Sequence, residues 1–131
     1  AKFIGTPAMN ILPCRLKVPG VNSSSIEMGS KSIEVQFETV ADQVGAEISL
    51  GLRPEHIVIC DRKDALIYGK VEIVEALGEF TIIYVDCGFQ VPLIAKLLGD
   101  LNISKGNCVG LNAEPQNMHL FDPKGKVYKR K

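Results

Sequence analysis

Residues 69–86 read Gly69-Lys70-Val71-Glu72-Ile73-Val74-Glu75-Ala76-Leu77-Gly78-Glu79-Phe80-Thr81-Ile82-Ile83-Tyr84-Val85-Asp86, and they decide the fold. From Lys70 to Ile73 polar and apolar residues alternate, the period of a strand with one buried face. The alternation turns irregular at Val74, where a bulge or bend is expected. Gly78-Glu79 is a tight-turn signal, and Thr81–Asp86 is β-branched and aromatic. The segment is expected to form a β-hairpin.

The same reading extends outward. Ser32–Phe37 alternates, with Ile33, Val35 and Phe37 on one face. Further short strands are expected at Ile11–Val18, Glu47–Leu52, Ile57–Cys60, Phe89–Ala95, Cys108–Leu111 and Met118–Phe121. Pro19-Gly20, Asn22-Ser23-Ser24-Ser25, Gly45, Asp86-Cys87-Gly88, Gly106-Asn107 and Asp122-Pro123-Lys124-Gly125 break them apart. Only Ile94–Leu98 suggests a helical turn, and Pro19–Ser30, rich in Pro, Gly and Ser, reads as a mobile loop. Many short strands at close spacing predict an all-β protein, a small barrel or sandwich. Its expected core is Ile33, Val35, Phe37, Ile48, Leu50, Val71, Ile73, Ile82, Tyr84, Val91 and Leu111.

Composition narrows the function. The 131 residues carry 15 Lys+Arg and 15 Asp+Glu, so the formal net charge is zero. Duplex nucleic acid is bound through an excess of positive charge, which is absent, and single-strand binders add stacking aromatics to a basic groove. With no Trp, 5 Phe and 3 Tyr, a nucleic-acid partner is not expected. The apolar runs Phe80–Val85 and Val91–Ala95 fall far short of the ~20 residues of a membrane helix. No secretory leader opens the chain, and its start at Ala1 reads as a fragment of something longer. Cys14, Cys60, Cys87 and Cys108 form no CxxC, and neither His56 nor His119 completes a zinc pattern with them. They are expected to be reduced, buried or half-buried thiols in a reducing compartment.

Catalytic chemistry is hard to find. Gly29-Ser30-Lys31-Ser32 resembles the tail of a phosphate loop but lacks the upstream glycine, and Ser32 enters a strand. The cysteines stand in apolar, strand-like text, and nothing flanks either histidine as a base or triad partner would require. Glu72, Glu75 and Glu79 surround a hairpin, where charge facing solvent is ordinary. The last eight residues hold five cations and no acid, either a solvated tail or a contact for an acidic partner or anionic membrane face. No catalytic residue, metal or cofactor site is expected.

Four segments carry more Gly, Pro and Asn than strands need: Phe3–Pro13 (FIGTPAMNILP), Leu50–His56 (LGLRPEH), Val74–Gly78 (VEALG) and Met118–Asp122 (MHLFD). In this order and spacing the chain resembles the C-terminal regulatory domain of ATP-binding subunits from bacterial ABC importers of the maltose, multiple-sugar and glycerol-phosphate type. The resemblance covers nearly the whole chain. It implies a transport-associated, OB-like or molybdate-binding-like β-barrel over residues 14–131, with residues 1–13 ending the connection to a nucleotide-binding domain and starting the first strand. It implies a parent that uses ATP and Mg, works as a homodimer with membrane subunits on the cytoplasmic face of the membrane, and in some members receives a regulatory protein. That family's phosphate loop, LSGGQ signature, acidic strand and switch histidine lie upstream of the FIG stretch, and none occurs here. The alternative is a barrel that senses a solute or oxyanion. Against an oxyanion, no cluster of Ser, Thr and basic residues is evident.

A partner surface is expected at Gly51, Arg53, Glu55, His56, Gly69, Glu75, Gly78 and Phe121. Glycine weakens a strand unless a turn or a close approach needs it, and fixed charges beside such glycines suit hydrogen-bonded recognition. Pro54 holds Arg53 extended, so that Glu55 and His56 project from a rigid corner. The plainer alternative is that the glycines serve turns alone and the charges are solvated.

Overall fold

Ten strands form in the computed structural model, which describes residues 8–28, 31–37, 39, 44–99 and 101–124, and buried and exposed residues alternate along several of them. They are β1 Asn10–Val18, β2 Ser24–Met28, β3 Lys31–Val35, β4 Glu47–Leu52, β5 Val58–Cys60, β6 Ile67–Ala76, β7 Phe80–Asp86, β8 Leu93–Leu98, β9 Cys108–Asn112 and β10 Met118–Phe121. Short 3-10 turns occupy Pro54–His56, Arg62–Asp64 and Pro115–Asn117. The strands form two five-stranded sheets, ordered β10-β4-β1-β2-β3 and β5-β9-β6-β7-β8. The fold is all-β, as the hairpin text predicts.

The chain divides into two units, one sheet in each. One unit comprises Ile11–Leu52 and Glu114–Lys131. In β1, Leu12, Cys14 and Leu16 point inward while Ile11, Pro13 and Arg15 stay exposed. Ile26 of β2, Ile33 and Val35 of β3, Ile48, Leu50 and Leu52 of β4 and Leu120 of β10 complete an apolar core with Phe37. Most of its stabilisation is the burial of these side chains, each contributing roughly 1.5–3 kcal/mol. The β2 strand corrects the loop expected over Pro19–Ser30. Ser24, Ile26 and Met28 are buried, and β2 pairs with both β1 and β3. Ser24 donates its hydroxyl to the Phe37 carbonyl at 2.8 Å and meets the Thr39 hydroxyl at 2.8 Å. A serine-rich composition signals a loop only while its hydroxyls lack partners, and here the fold supplies them.

The other unit comprises Ala1–Asn10 and Arg53–Ala113. Strands β6 and β7 form the expected hairpin, with Ala76 opposite Thr81 and Val71 opposite Val85. The register slips between Val71 and Ile73, so the bulge falls ahead of the expected Val74. An extra residue exchanges the faces of a strand. Ile73 is consequently turned outward and is 49% exposed, which removes it from the expected core. Tyr84, opposite Ile73, is half-buried rather than buried.

Val91 is also corrected. It lies in the loop before β8 and is 65% exposed. The expected helical turn at Ile94–Leu98 is instead part of β8, because pairing with β7 overrides the local preference for helix. Leu93, Ala95 and Leu97 of β8 pack on the inward face beside Thr81, Ile83 and Val85 of β7. The remaining expected core residues, Ile33, Val35, Phe37, Ile48, Leu50, Val71, Ile82 and Leu111, are all buried.

Candidate functional site

Arg53 to His56 form a corner built by proline. Pro54 lacks an N–H and fixes its own φ, so β4 ends at Leu52 and a 3-10 turn follows. Arg53 is extended, at φ −74° and ψ 138°, as a residue before proline must be. The His56 amide donates to the Arg53 carbonyl at 3.0 Å, closing the turn. Pro54 and Ile57 are buried, and the turn packs against β8. Arg53 and Glu55 are exposed and His56 is half-buried, with its Nδ1 enclosed and reached by no hydrogen-bond partner among the described residues.

Glu75 and Gly78 share the end of the β6–β7 hairpin. Gly78 has φ +90° and Leu77 donates its amide to the Phe80 carbonyl at 2.9 Å, so Gly78 and Glu79 are the two turn residues. Glycine leading a turn with positive φ is the II′ pattern suited to hairpins. The Tyr84 hydroxyl donates across the strands to Glu75 Oε1 at 3.3 Å. Burial raises the Tyr84 phenol above its ordinary value, and the Glu75 charge and hydrogen bond raise it further. Gly69 lies toward the opposite end of β6. A Cβ there would stand 2.4 Å from the Asp86 carbonyl oxygen and 2.7 Å from Cys87 Sγ, so the end of β7 needs a residue without a side chain. Close approach of the β7 end thus accounts for the glycine at 69, and turn geometry for the one at 78.

Gly51 and Phe121 belong to the other unit. They lie on adjacent strands, with Gly51 of β4 opposite His119 of β10 and Phe121 opposite Ser49. Gly51 is buried, whereas Phe121 is half-buried on the wall of a groove of about 790 Å³. The expected residues therefore divide between the units: Arg53–His56, Gly69 and Glu75–Gly78 belong to one, and Gly51 and Phe121, on the β4–β10 pair, to the other.

Two features escaped the residue reading. The first is Asn10, whose carboxamide donates to the Ile94 carbonyl at 2.9 Å and accepts from the Ile94 amide at 2.8 Å. It acts as one rung of a strand ladder along the edge of β8. The second is the groove, whose outward-facing Ile11, Pro13 and Arg15 alternate along β1 and could be read from that spacing.

Among the described residues no group of His, Cys, Asp and Glu is placed to hold a metal ion, and no helix is long and apolar enough to cross a membrane. Burial pushes the Cys14 thiol up to about 12. Cys87 reaches about 11, through burial first and the neighbouring Asp86 charge second. Such thiols are poor nucleophiles. The FIG stretch up to Pro7, Gly29-Ser30 and the basic tail beyond Lys124 lie outside the described residues.

Residues 50–121 match the TOBE domain family, and residues 5–57 match the MalK OB fold domain. The chain belongs to the TOBE domain family. The two matches overlap at residues 50–57, the stretch holding the proline corner, where the chain passes from one unit to the other. This TOBE chain is 37% identical over 130 residues to the alpha-glucoside transport ATP-binding protein AglK of Rhizobium meliloti, covering 98% of the chain and 36% of that protein. It is 33% identical over 136 aligned positions to the maltose/maltodextrin import ATP-binding protein MalK of Salmonella typhi, and 31% over 138 to that of Escherichia coli K12, each covering 99% of the chain and 36% of the relative. The chain thus spans about a third of the length of these relatives. Among solved structures, the cytoplasmic molybdate-binding protein ModG superposes with TM-score 0.69 at 12% identity, over 92% of this chain and all of that one. That likeness speaks for the fold alone.

Proposed function

We propose that this chain is the non-catalytic regulatory and dimerisation domain of the ATP-binding subunit of a bacterial ABC importer for sugars, polyols or glycerol phosphate. The observation that carries the reading is continuity: 98% of the chain aligns with one stretch of an alpha-glucoside transport ATP-binding protein. ATP and Mg belong to the parent subunit and not to this domain, because no Gly-rich amide cradle with its Lys and Mg-holding hydroxyl occurs in the sequence. Residues 1–13 lead from the nucleotide-binding domain, and residues 14–131 are the regulatory barrel. The partners are a second copy of the subunit, the membrane subunits through the parent, and a regulatory protein, which puts the domain at the inner face of the cell membrane. In one unit the exposed Arg53 and Glu55 on their rigid corner, His56 beside them, and Glu75 with Gly78 at the hairpin end are the recognition residues, with Gly69 on the strand that carries Glu75; in the other unit they are Gly51 and Phe121. Sensing of an oxyanion is the weaker reading, since the groove beside Phe121 is lined by Glu27, Glu47 and Asp122.

The test grafts this chain in place of the matching third of AglK and measures sugar uptake and ATPase activity in membranes. Restored uptake is expected, together with no ATP turnover by the chain alone. Glu75→Lys and Arg53→Ala in the graft should leave folding intact while altering dimerisation or regulation. Loss of regulation on deleting Ser23–Ser25, with both point variants behaving as the parent, would place the surface elsewhere.

A further inference from the structure

The groove has a chemistry of its own. It is cut into the outward face of the sheet β10-β4-β1-β2, and its volume of about 790 Å³ lies in the range that seats a ligand or several side chains. Ile11 and Pro13 of β1, Phe121 of β10 and Pro123 make an apolar end. Ser49, opposite Phe121, has a small side chain and leaves the floor open. Arg15, Glu27 and Glu47 make a charged end. Alternate residues of a strand repeat on one face every ~6.8 Å, so Ile11, Pro13 and Arg15 run in line from the apolar end to the charged one.

The charges are unbalanced. Among the described residues, Glu27 and Glu47 line the charged end of the groove against the guanidinium of Arg15. That guanidinium is already engaged, donating to the Gly45 carbonyl at 2.9 Å and to Glu47 Oε1 at 3.0 Å. Glu27 stands directly opposite Arg15 in the β1–β2 register, and no hydrogen bond or ion pair among the described residues engages its carboxylate. An anion entering here would meet surplus negative charge, whereas a cation would find a carboxylate ready to accept its hydrogen bonds.

We infer that this groove binds an extended peptide segment of another protein, one presenting an apolar residue and, two positions further on, a lysine or arginine. An extended peptide shares the two-residue repeat of the sheet beneath it, so both side chains face the groove together. The apolar one packs against Phe121 and Pro13, and the basic one reaches Glu27 and the outer oxygen of Glu47. The inference rests on the groove alone and holds whatever the parent subunit transports.

Calorimetric titration of the full chain with acetyl-Ser-Leu-Ser-Lys-Ser-amide tests it. Saturable binding is expected, lost when the peptide's lysine is replaced by glutamate and weakened when its leucine is replaced by serine. Glu27→Lys, an exposed substitution that leaves the core untouched, should weaken binding about tenfold or more. Ser49→Trp should fill the groove and block it, with the thermal unfolding of both variants checking that they fold. Binding indifferent to Glu27→Lys and Ser49→Trp overturns the assignment. So does saturable binding of molybdate or sulfate in place of the peptide, or self-association that Ser49→Trp abolishes while no peptide binds.

Discussion

Replacing Asn10 by alanine removes a side chain that substitutes for a strand. Its carboxamide makes two hydrogen bonds to one residue of β8, at 2.8 and 2.9 Å to the Ile94 amide and carbonyl, and Asn10 itself is only 8% exposed. Alanine leaves both backbone groups without these partners, and a buried polar group left unpaired costs ~1–3 kcal/mol. Ile94 is half-buried, so water recovers part of that loss. The expected destabilisation is therefore ~2–4 kcal/mol. With a urea m-value of ~1–3 kcal/mol/M, the midpoint should fall by roughly 1–2 M.

Amide hydrogen exchange gives the local reading, since exchange at Ile94 should accelerate more than at Ile83 in the middle of the same sheet. Asn10→Asp separates the two bonds. A carboxylate keeps the acceptor for the Ile94 amide but faces the Ile94 carbonyl with no proton to donate. The protonated acid can donate, so the folded state raises the pKa of this aspartate above its unfolded value near ~3.9. Relative to the parent at each pH, the variant should be most stable below that unfolded value and should lose stability as pH rises through the raised folded value. An Asn10→Ala midpoint within 0.2 M (roughly the precision of such a measurement) of the parent, with unchanged exchange at Ile94, would refute the reasoning.

Ile82→Ala should cost ~2–5 kcal/mol by opening a cavity, while Ile73→Ser, on the face that the bulge turns outward, should stay within ~0.5 kcal/mol in the same urea titrations. Gly69→Ala should destabilise more than Gly78→Ala, since the first drives a Cβ to 2.4 Å from backbone and the second strains only a turn at positive φ, at ~1–2 kcal/mol. Unfolding midpoints of the two variants check the order. Cys14 and Cys87 are held protonated in the fold, with pKa values raised to about 12 and about 11 from 9.0. Their contribution is fully present below pH 9 and declines as pH rises toward those values; a double Cys14→Ala, Cys87→Ala variant should flatten that part of the stability profile.

Much of this fold is local in origin. The β6–β7 hairpin follows from Gly78-Glu79 between two β-branched runs, because turn chemistry and strand period are written over adjacent residues. The proline corner is equally local: Pro54 stops β4 and extends Arg53 whatever surrounds it. β10 was legible to the residue, since Met118–Phe121 alternates between clear breakers. The site was less legible. Gly69 invited a functional reading, yet its need is set by Asp86 and Cys87 across the strand pair, which no local pattern reports.

The sequence by itself determined the all-β class, the hairpin with its turn, the ends of β4 and the alternation that buries Ile33, Val35, Ile48 and Leu50. These depend on interactions within a few residues and on a period of two. Only the tertiary structure decided that Ser24–Met28 is a strand, that Leu93–Leu98 pairs with β7, and that a bulge exchanges Ile73 for Val74 on the inner face. It alone brought Asn10 to Ile94 and set Phe121 beside Arg15, Glu27 and Glu47 around one groove. Pairing partners and register are long-range quantities. Their energies come from hydrogen bonds and burial between residues far apart in the chain, so they become visible only once the sheets have formed.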